Sequence, residues 1–305
     1  MPEKQTISDA LKKYKEQMDS AKTSEQSEQK KILPDSIPKP APAPMMSKEE
    51  LESTLMKETD PDLITSYEIV DLPSKGLFYS NGLSQVAVEY MTSKDEDLLT
   101  TPSLIDNGTV IDVLLKRKIK TKGVDPEKLL LGDRSAIIIF LRSSSYGSEY
   151  TVMVTDPRTG NQYKDTVDLT KLKYKKITIL PDENGHFEVD IPMRKKRVKF
   201  RLLTTGEENI IYKKAESIQQ AYGEEVNHFN TMKLKAQIIS IDGNTDRTYI
   251  DKFVDAMPAL DSLTIRKKIN EVSPDVDLEY EFIAKDGFKF KSTLVLGLDF
   301  FFPSI

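Results

Sequence analysis

Residues 132–147 read GDRSAIIIFLRSSSYG, and the choice between helix and strand here decides the fold class. The apolar run 137–141 contains three consecutive isoleucines, and β-branching favours a strand. Two flanking residues favour a helix. Asp133 offers a side-chain oxygen to the free amides of a first turn, and Gly147 can adopt the left-handed conformation that ends one. The stretch is therefore predicted as a helix from an Asp133 cap to about Ser144, with 137–141 as its buried middle.

Strand-like segments lie on both sides of this helix. Upstream, YEIVDLP, GLFYSNG and SQVAVEYMT are β-rich runs separated by turn formers. Gln85, Ala87 and Glu89 alternate with Val86, Val88 and Tyr90, which predicts one buried face. Pro73 and Gly76 bend the chain into the domain, Phe78 and Tyr79 anchor the first sheet edge, and Asn81-Gly82 fits a tight hairpin turn. A short helix follows from Lys94, with Asp95 and Glu96 at its positive end. TVIDVLLKRK (109–118) is a second helix, basic in its last turn. Asp125-Pro126-Glu127 opens one more helical turn.

Downstream, 148–204 read as two hairpins and a further strand in one small antiparallel sheet. EYTVMVTD and QYKDTVDL flank 157–160, KITIL and HFEVDIP flank 182–185, and RVKFRLL alternates after them. Residues 206–272 read as helical, LKAQIISI included. Asp251, Asp255 and Asp261 fall on polar sides there, while Tyr249, Phe253, Met257 and Leu260 face in. Two strands joined at 285–287 precede the terminal Phe300, Phe301 and Phe302. Strands, helices, strands, helices and strands in that order indicate an α+β fold of small antiparallel sheets with packed helices. The predicted organisation is a tail (1–46), an α+β core domain (47–205), and a helical segment with C-terminal strands (206–305).

The 305 residues are 38% hydrophobic and 30% charged, wetter than an ordinary globular chain, so part of the chain is expected not to fold alone. That part is 1–46, rich in Gln, Lys, Glu and Ser and then in X-Pro steps that exclude helix. Ile7, Leu11, Tyr14 and Met18 form one narrow apolar stripe, either a frayed peptide or a partner-binding helix on a tether. Ser47 and Glu50 fit a capping box for a short helix to about Lys57. The net charge of −5 gives no basic excess for nucleic acid. Without cysteine there can be no disulfide, thiolate zinc site or cysteine nucleophile. No apolar run approaches the length of a membrane span, and the N-terminus lacks the apolar core of a secretory signal.

No pattern of catalytic or cofactor chemistry emerges. His186 and His228 have no supporting triad motif. Lys94-Asp95-Glu96-Asp97 lacks cation-loop spacing and reads as a helix start, and 241–246 reads as a turn leading to a helix cap at Asp246. No glycine-rich phosphate loop exists. Arg194-Lys195-Lys196-Arg197 is the one dense basic run. It leaves a nucleic-acid-binding accessory protein as the alternative to a protein that works by contacts with other proteins, without metal or cofactor.

The ordered set LPSKGLFY, VEYMTSKDEDLLTTPSLIDNGTVIDVLLKR, LLLGDRSAIIIFLRSSSYGSEY, VDLTKL, VKFRLLTTGEE and FFFPSI resembles the baseplate hub and hub-assembly proteins of T-even-like contractile-tailed phages. The resemblance covers about 66–210 and returns at the C-terminus. It implies a non-enzymatic component or assembly factor of the central hub. Other hub and tail proteins would be its partners, with assembly in the host cytoplasm and a place in the virion baseplate. The positions it singles out include Pro73, Gly76, Tyr79, Met91, Asp95, Glu96, Gly132, Asp133, Arg134, Arg142, Tyr146 and Gly147, as fold-defining or contact residues. Phe78 and Phe300 to Phe302 join them as candidates. Some proteins of this general type carry paired cysteines in hairpin turns as metal knuckles. The comparable turns here, 155–160 and 284–287, have none, so the expectation is hairpins closed by turn residues alone. A further expectation is that Arg134 or Arg142 reaches Asp95 or Glu96 and locks the acidic segment to the apolar helix.

Overall fold

A computed structural model of the chain describes residues 66–222, 227–284 and 286–302. The tail stripe and the helix expected at 47–57 lie outside them. Strands β1 (Tyr67–Asp71) and β2 (Gln85–Glu89) pair antiparallel, Tyr67 opposite Glu89 and Asp71 opposite Gln85. Their connection is a thirteen-residue loop, 72–84, and not a two-residue turn at Asn81-Gly82. Lys75 and Gly76 reverse the chain in left-handed conformations (φ 52° and 75°). A Cβ on Gly76 would lie 2.8 Å from the Gly82 carbonyl carbon, so the loop closes on itself only with glycine there. Nor does β2 have a single buried face: Val86, Ala87 and Val88 are all buried. Residues 119–121 lie along its other edge, where the Lys120 N–H donates to the Ala87 carbonyl at 2.8 Å and Val88 bridges to Ile119.

Three short helices follow, α1 (Ser93–Leu99), α2 (Pro102–Asp106) and α3 (Val110–Lys118). Asp125 caps a 3-10 turn at Pro126–Lys128, as its sequence predicts. The decisive stretch is helix α4 (Leu131–Tyr146), ended by Gly147 at φ 87°. Its isoleucines form helix because Ala136, Ile137, Ile138, Ile139 and Leu141 are all buried, nearly all round the axis. Burial of each large side chain contributes roughly 1.5–3 kcal/mol, more than strand propensity opposes. The cap differs from expectation. The helix starts at Leu131 behind Leu130, and Asp133 lies inside its first turn with its carboxylate directed elsewhere.

Strands β3 (Glu149–Thr155) and β4 (Gln162–Asp168) form the expected hairpin. A two-residue strand β5 (Lys173–Tyr174) follows. KITIL forms no strand, and β6 (His186–Ile191) pairs instead with β7 (Lys196–Arg201) across the basic run. Helices α5 (Thr205–Tyr222) and α6 (Phe229–Gln237) come next. LKAQIISI then divides: LKAQ ends α6, and Ile238–Ile241 is β8, which pairs with β7. A run of apolar β-branched residues beside a sheet edge finds its partner only in three dimensions. The β7–β8 pairing also crosses the boundary placed at 205, and the described residues lie in one compact unit.

Helix α7 (Arg247–Asp255) is capped by Asp246, whose carboxylate accepts from the Thr248 N–H at 3.0 Å. Helix α8 (Ala259–Val272) follows. Two of its expected orientations are reversed. Asp261 is fully buried, accepting from the backbone N–H groups of Met193 (2.8 Å) and Arg194 (3.1 Å), and Leu260 is half exposed. Strand β9 (Val276–Asp277) pairs with β5, and β10 (Glu279–Ile283) with β11 (Lys289–Thr293), before a 3-10 turn at Leu298–Phe301. Among the described residues the strands make four two-stranded sheets and one of three, an α+β architecture in place of one continuous sheet. The largest core packs α3, α4, β1 and β2 around Phe300 and Phe301.

Candidate functional site

The sequence candidates gather in three contact groups around α4. The first joins the loop 72–84 to the start of the helix. Pro73 and Ser74 are buried, and the Ser74 N–H donates to Asp133 Oδ1 at 2.9 Å. The Tyr79 hydroxyl donates to Asp133 Oδ2 and accepts from the Leu130 N–H at 2.9 Å. Burial pushes the Tyr79 phenol well above its usual range, and the Asp133 charge pushes it further. Burial raises Asp133 also, against the hydrogen bonds from Tyr79 and Ser74. Gly132 sits against the chain before β9, where a Cβ would be 2.6 Å from the Asp275 Cα and closer still to the Pro274 carbonyl oxygen. Phe78 packs against Phe187 with ring centroids 6.0 Å apart. Phe78 and Tyr79 therefore face the protein's own interior.

The second group is centred on Asp95, fully buried at the start of α1. Its carboxylate closes a capping box with Thr92 and pairs with Lys118 Nζ at 2.6 Å and Arg117 at 3.3 Å. Burial opposes the Asp95 charge, but the Lys118 ammonium and the Thr92 donors overcome it and hold its pKa below the ordinary value. The expected bridge from Arg134 or Arg142 is absent. Arg134 pairs with Asp112 on α3 instead. Lys118, buried to 2%, is the residue that sequence reading missed. Its place in a basic helix end fits a dipole effect equally well, and only the turn of α3 toward α1 puts it inside.

The third group ties the chain's end to α4. Arg142, also buried, donates from Nε to the Phe300 carbonyl and from its guanidinium to the Gly147 carbonyl, both at 3.0 Å. Its guanidinium lies over the Tyr146 ring at 5.3 Å. The Tyr146 hydroxyl donates to the exposed Glu96 at 2.8 Å, and burial followed by Glu96 pushes its pKa up to about 12. Phe300 and Phe301 are completely buried, while Phe302 remains 39% exposed.

The turns 155–160 and 284–287 are not closed by turn residues alone. Arg158 reaches from one to the other, meeting Asp286 at 2.8 Å and lying 3.7 Å over the Phe288 ring, while Asp156 receives its backbone N–H. The basic run is largely spent within the fold. Arg194 donates to the Ala256 carbonyl, Lys196 pairs with Asp242 at 2.6 Å, and Arg197 pairs with Asp190 at 2.9 Å. Among the described residues no cluster of His, Asp and Glu side chains could hold a metal ion, and no helix is long and apolar enough to cross a membrane.

The family model described as T4 bacteriophage base plate protein matches residues 64–302. The chain belongs to that family. No curated protein and no solved structure matches it. The match spans all three contact groups and the Arg158 clasp, so the ordered motifs that tie loop, helix and chain end together belong to a baseplate protein. That places it among the structural proteins of the phage baseplate.

Proposed function

We propose that this baseplate protein acts at the central hub, as a hub component or as an assembly factor for it, through stoichiometric protein contacts and without catalysis. The family match across 64–302 carries the reading. Its direct partners would be other hub and tail proteins. The internal engagement of the candidate side chains supports it. Asp133, Asp95, Arg134 and Arg142 each bind groups of their own chain, as expected of residues that shape a contact surface rather than work on a substrate. The pairing of Arg194, Lys196 and Arg197 with groups of the same chain argues against the nucleic-acid alternative. Free phosphate-binding cations would be needed there.

The test is affinity purification of the tagged protein from infected cells, with mass spectrometry of assembly intermediates and of mature particles. A hub component is expected in both, and an assembly factor in intermediates alone. Absence from both would overturn the reading.

A further inference from the structure

The N-terminal end of α4 opens onto a cleft of about 270 Å³ bordered also by α6 and α8. The helix starts without a side-chain cap. Its first backbone bond runs from the Arg134 N–H to the Leu130 carbonyl at 3.0 Å; the Leu130–Thr204 bridge turns the Leu131 N–H toward the Leu203 carbonyl, and among the described residues the N–H groups of Gly132 and Asp133 have no acceptor. Asp133, the one acid of that first turn, is turned away to Ser74 and Tyr79. The start of a sixteen-residue helix thus lacks a side-chain cap, with Leu131 and Gly132 on the cleft wall.

Two further observations point to the same place. Gln237, the last residue of α6, lines the cleft at 3% exposure, and its side-chain amide has no hydrogen-bond partner among the described residues. The side-chain amide can donate to an acceptor that enters the cleft. Arg266 on α8 lines the cleft too, with no ion pair or hydrogen bond among the described residues. Two carboxylates border the space, each with its own cation: Glu208 is 2.8 Å from Lys233, and Asp275 is 3.8 Å from Lys175. Arg266 is the charge left over. Leu131, half exposed, forms an apolar wall with Leu202 and Ile269.

We infer that this cleft binds a carboxylate held next to an apolar side chain, presented by an acidic segment of a partner protein. The carboxylate oxygens take the free helix amides and the Arg266 guanidinium, the Gln237 amide donates alongside, and the apolar neighbour covers Leu131. Only the source of the carboxylate rests on the protein-contact reading above.

The probe is isovalerate, a carboxylate with a branched apolar tail, titrated into the ¹⁵N-labelled full chain. It is expected to shift the backbone amide signals of Leu131 and Gly132 and the side-chain amide pair of Gln237. Isovaleramide, with the same shape and no charge, is expected to leave them in place. Arg266→Gln, on an exposed position of α8, should weaken isovalerate binding about tenfold without changing the melting temperature, as loss of one charge-assisted contact predicts. Gln237→Met should also weaken it.

Unmoved Leu131 and Gly132 signals, or an equal response to isovaleramide, would overturn the site. Inorganic phosphate binding as tightly as isovalerate would overturn the apolar-carboxylate class. Failure of isovalerate to bind, with hub proteins still co-purifying, refutes the cleft alone. Binding without co-purification refutes the hub reading alone.

Discussion

Tyr79→Phe removes a single oxygen atom and should cost the protein about 2–4 kcal/mol. The hydroxyl makes two contacts that nothing nearby can replace: it donates to the buried Asp133 carboxylate and accepts from the N–H of Leu130, a residue 7% exposed. Loss of a hydrogen bond to a charged group costs about 1.5–3 kcal/mol, and a stranded buried N–H about 1–3 kcal/mol. The full sum is an upper limit. Asp133 keeps the Ser74 N–H at 2.9 Å, and its pKa, already raised by burial, can rise further so that the carboxyl neutralises. For a folded unit of this size about 2–4 °C of melting temperature accompanies each kcal/mol, so the midpoint should fall by roughly 5–15 °C in calorimetry at neutral pH.

The direction with pH is also determined. A carboxyl whose folded pKa is raised contributes stability that is fully present below its ordinary pKa and is lost as pH rises through the folded value. The deficit of Tyr79→Phe should therefore narrow as the medium is acidified. Tyr90→Phe is the control, because that hydroxyl meets Glu68 at an exposed position and should shift stability by less than about 0.5 kcal/mol. Equal midpoints for the two variants would refute the claim that Tyr79 fastens the loop 72–84 to α4.

Two other outcomes follow from the same geometry. Lys118→Met leaves the buried Asp95 without its nearest cation and should cost about 3–5 kcal/mol at pH 7. Asp95 has a lowered pKa in the fold, so its contribution is present above the ordinary carboxylate pKa and lost as pH falls through the folded value. Melting curves of variant and parent should accordingly converge on acidification. Gly132→Ala drives a methyl group into the Pro274 carbonyl, and neither α4 nor the chain before β9 can yield without breaking other contacts. Soluble yield and melting temperature should both drop, by more than the roughly 1–3 kcal/mol of ordinary overpacking.

Legibility in the sequence followed the range of the interactions. Helix α4 could be read because its apolar run, its length and Gly147 are local signals, and the Asp246 cap and the β3–β4 and β10–β11 hairpins were readable for the same reason. Ile238–Ile241 reads as helix in isolation because a strand exists only where another strand's edge is free, and β7 lies more than thirty residues away. The contacts expected among the candidate residues differ from those they make. Asp133 looked like a cap because capping is the local use of an aspartate near a helix start. Its actual partners, Ser74 and Tyr79, are more than fifty residues upstream.

By itself, the sequence determined the α+β class, most of the helices, the ordered motifs of a baseplate protein, and the absence of thiol chemistry. These rest on periodicity, turn residues and composition, which act over a few neighbours. Tertiary structure alone decided which charges meet. Lys118 takes Asp95, Arg134 takes Asp112, and Arg142 holds the Phe300 carbonyl, 158 residues away. It also brought the start of α4, Gln237 and Arg266 to one cleft. A charge finds its partner by distance in space. That distance is set by how helices pack, and no local pattern in the chain records it.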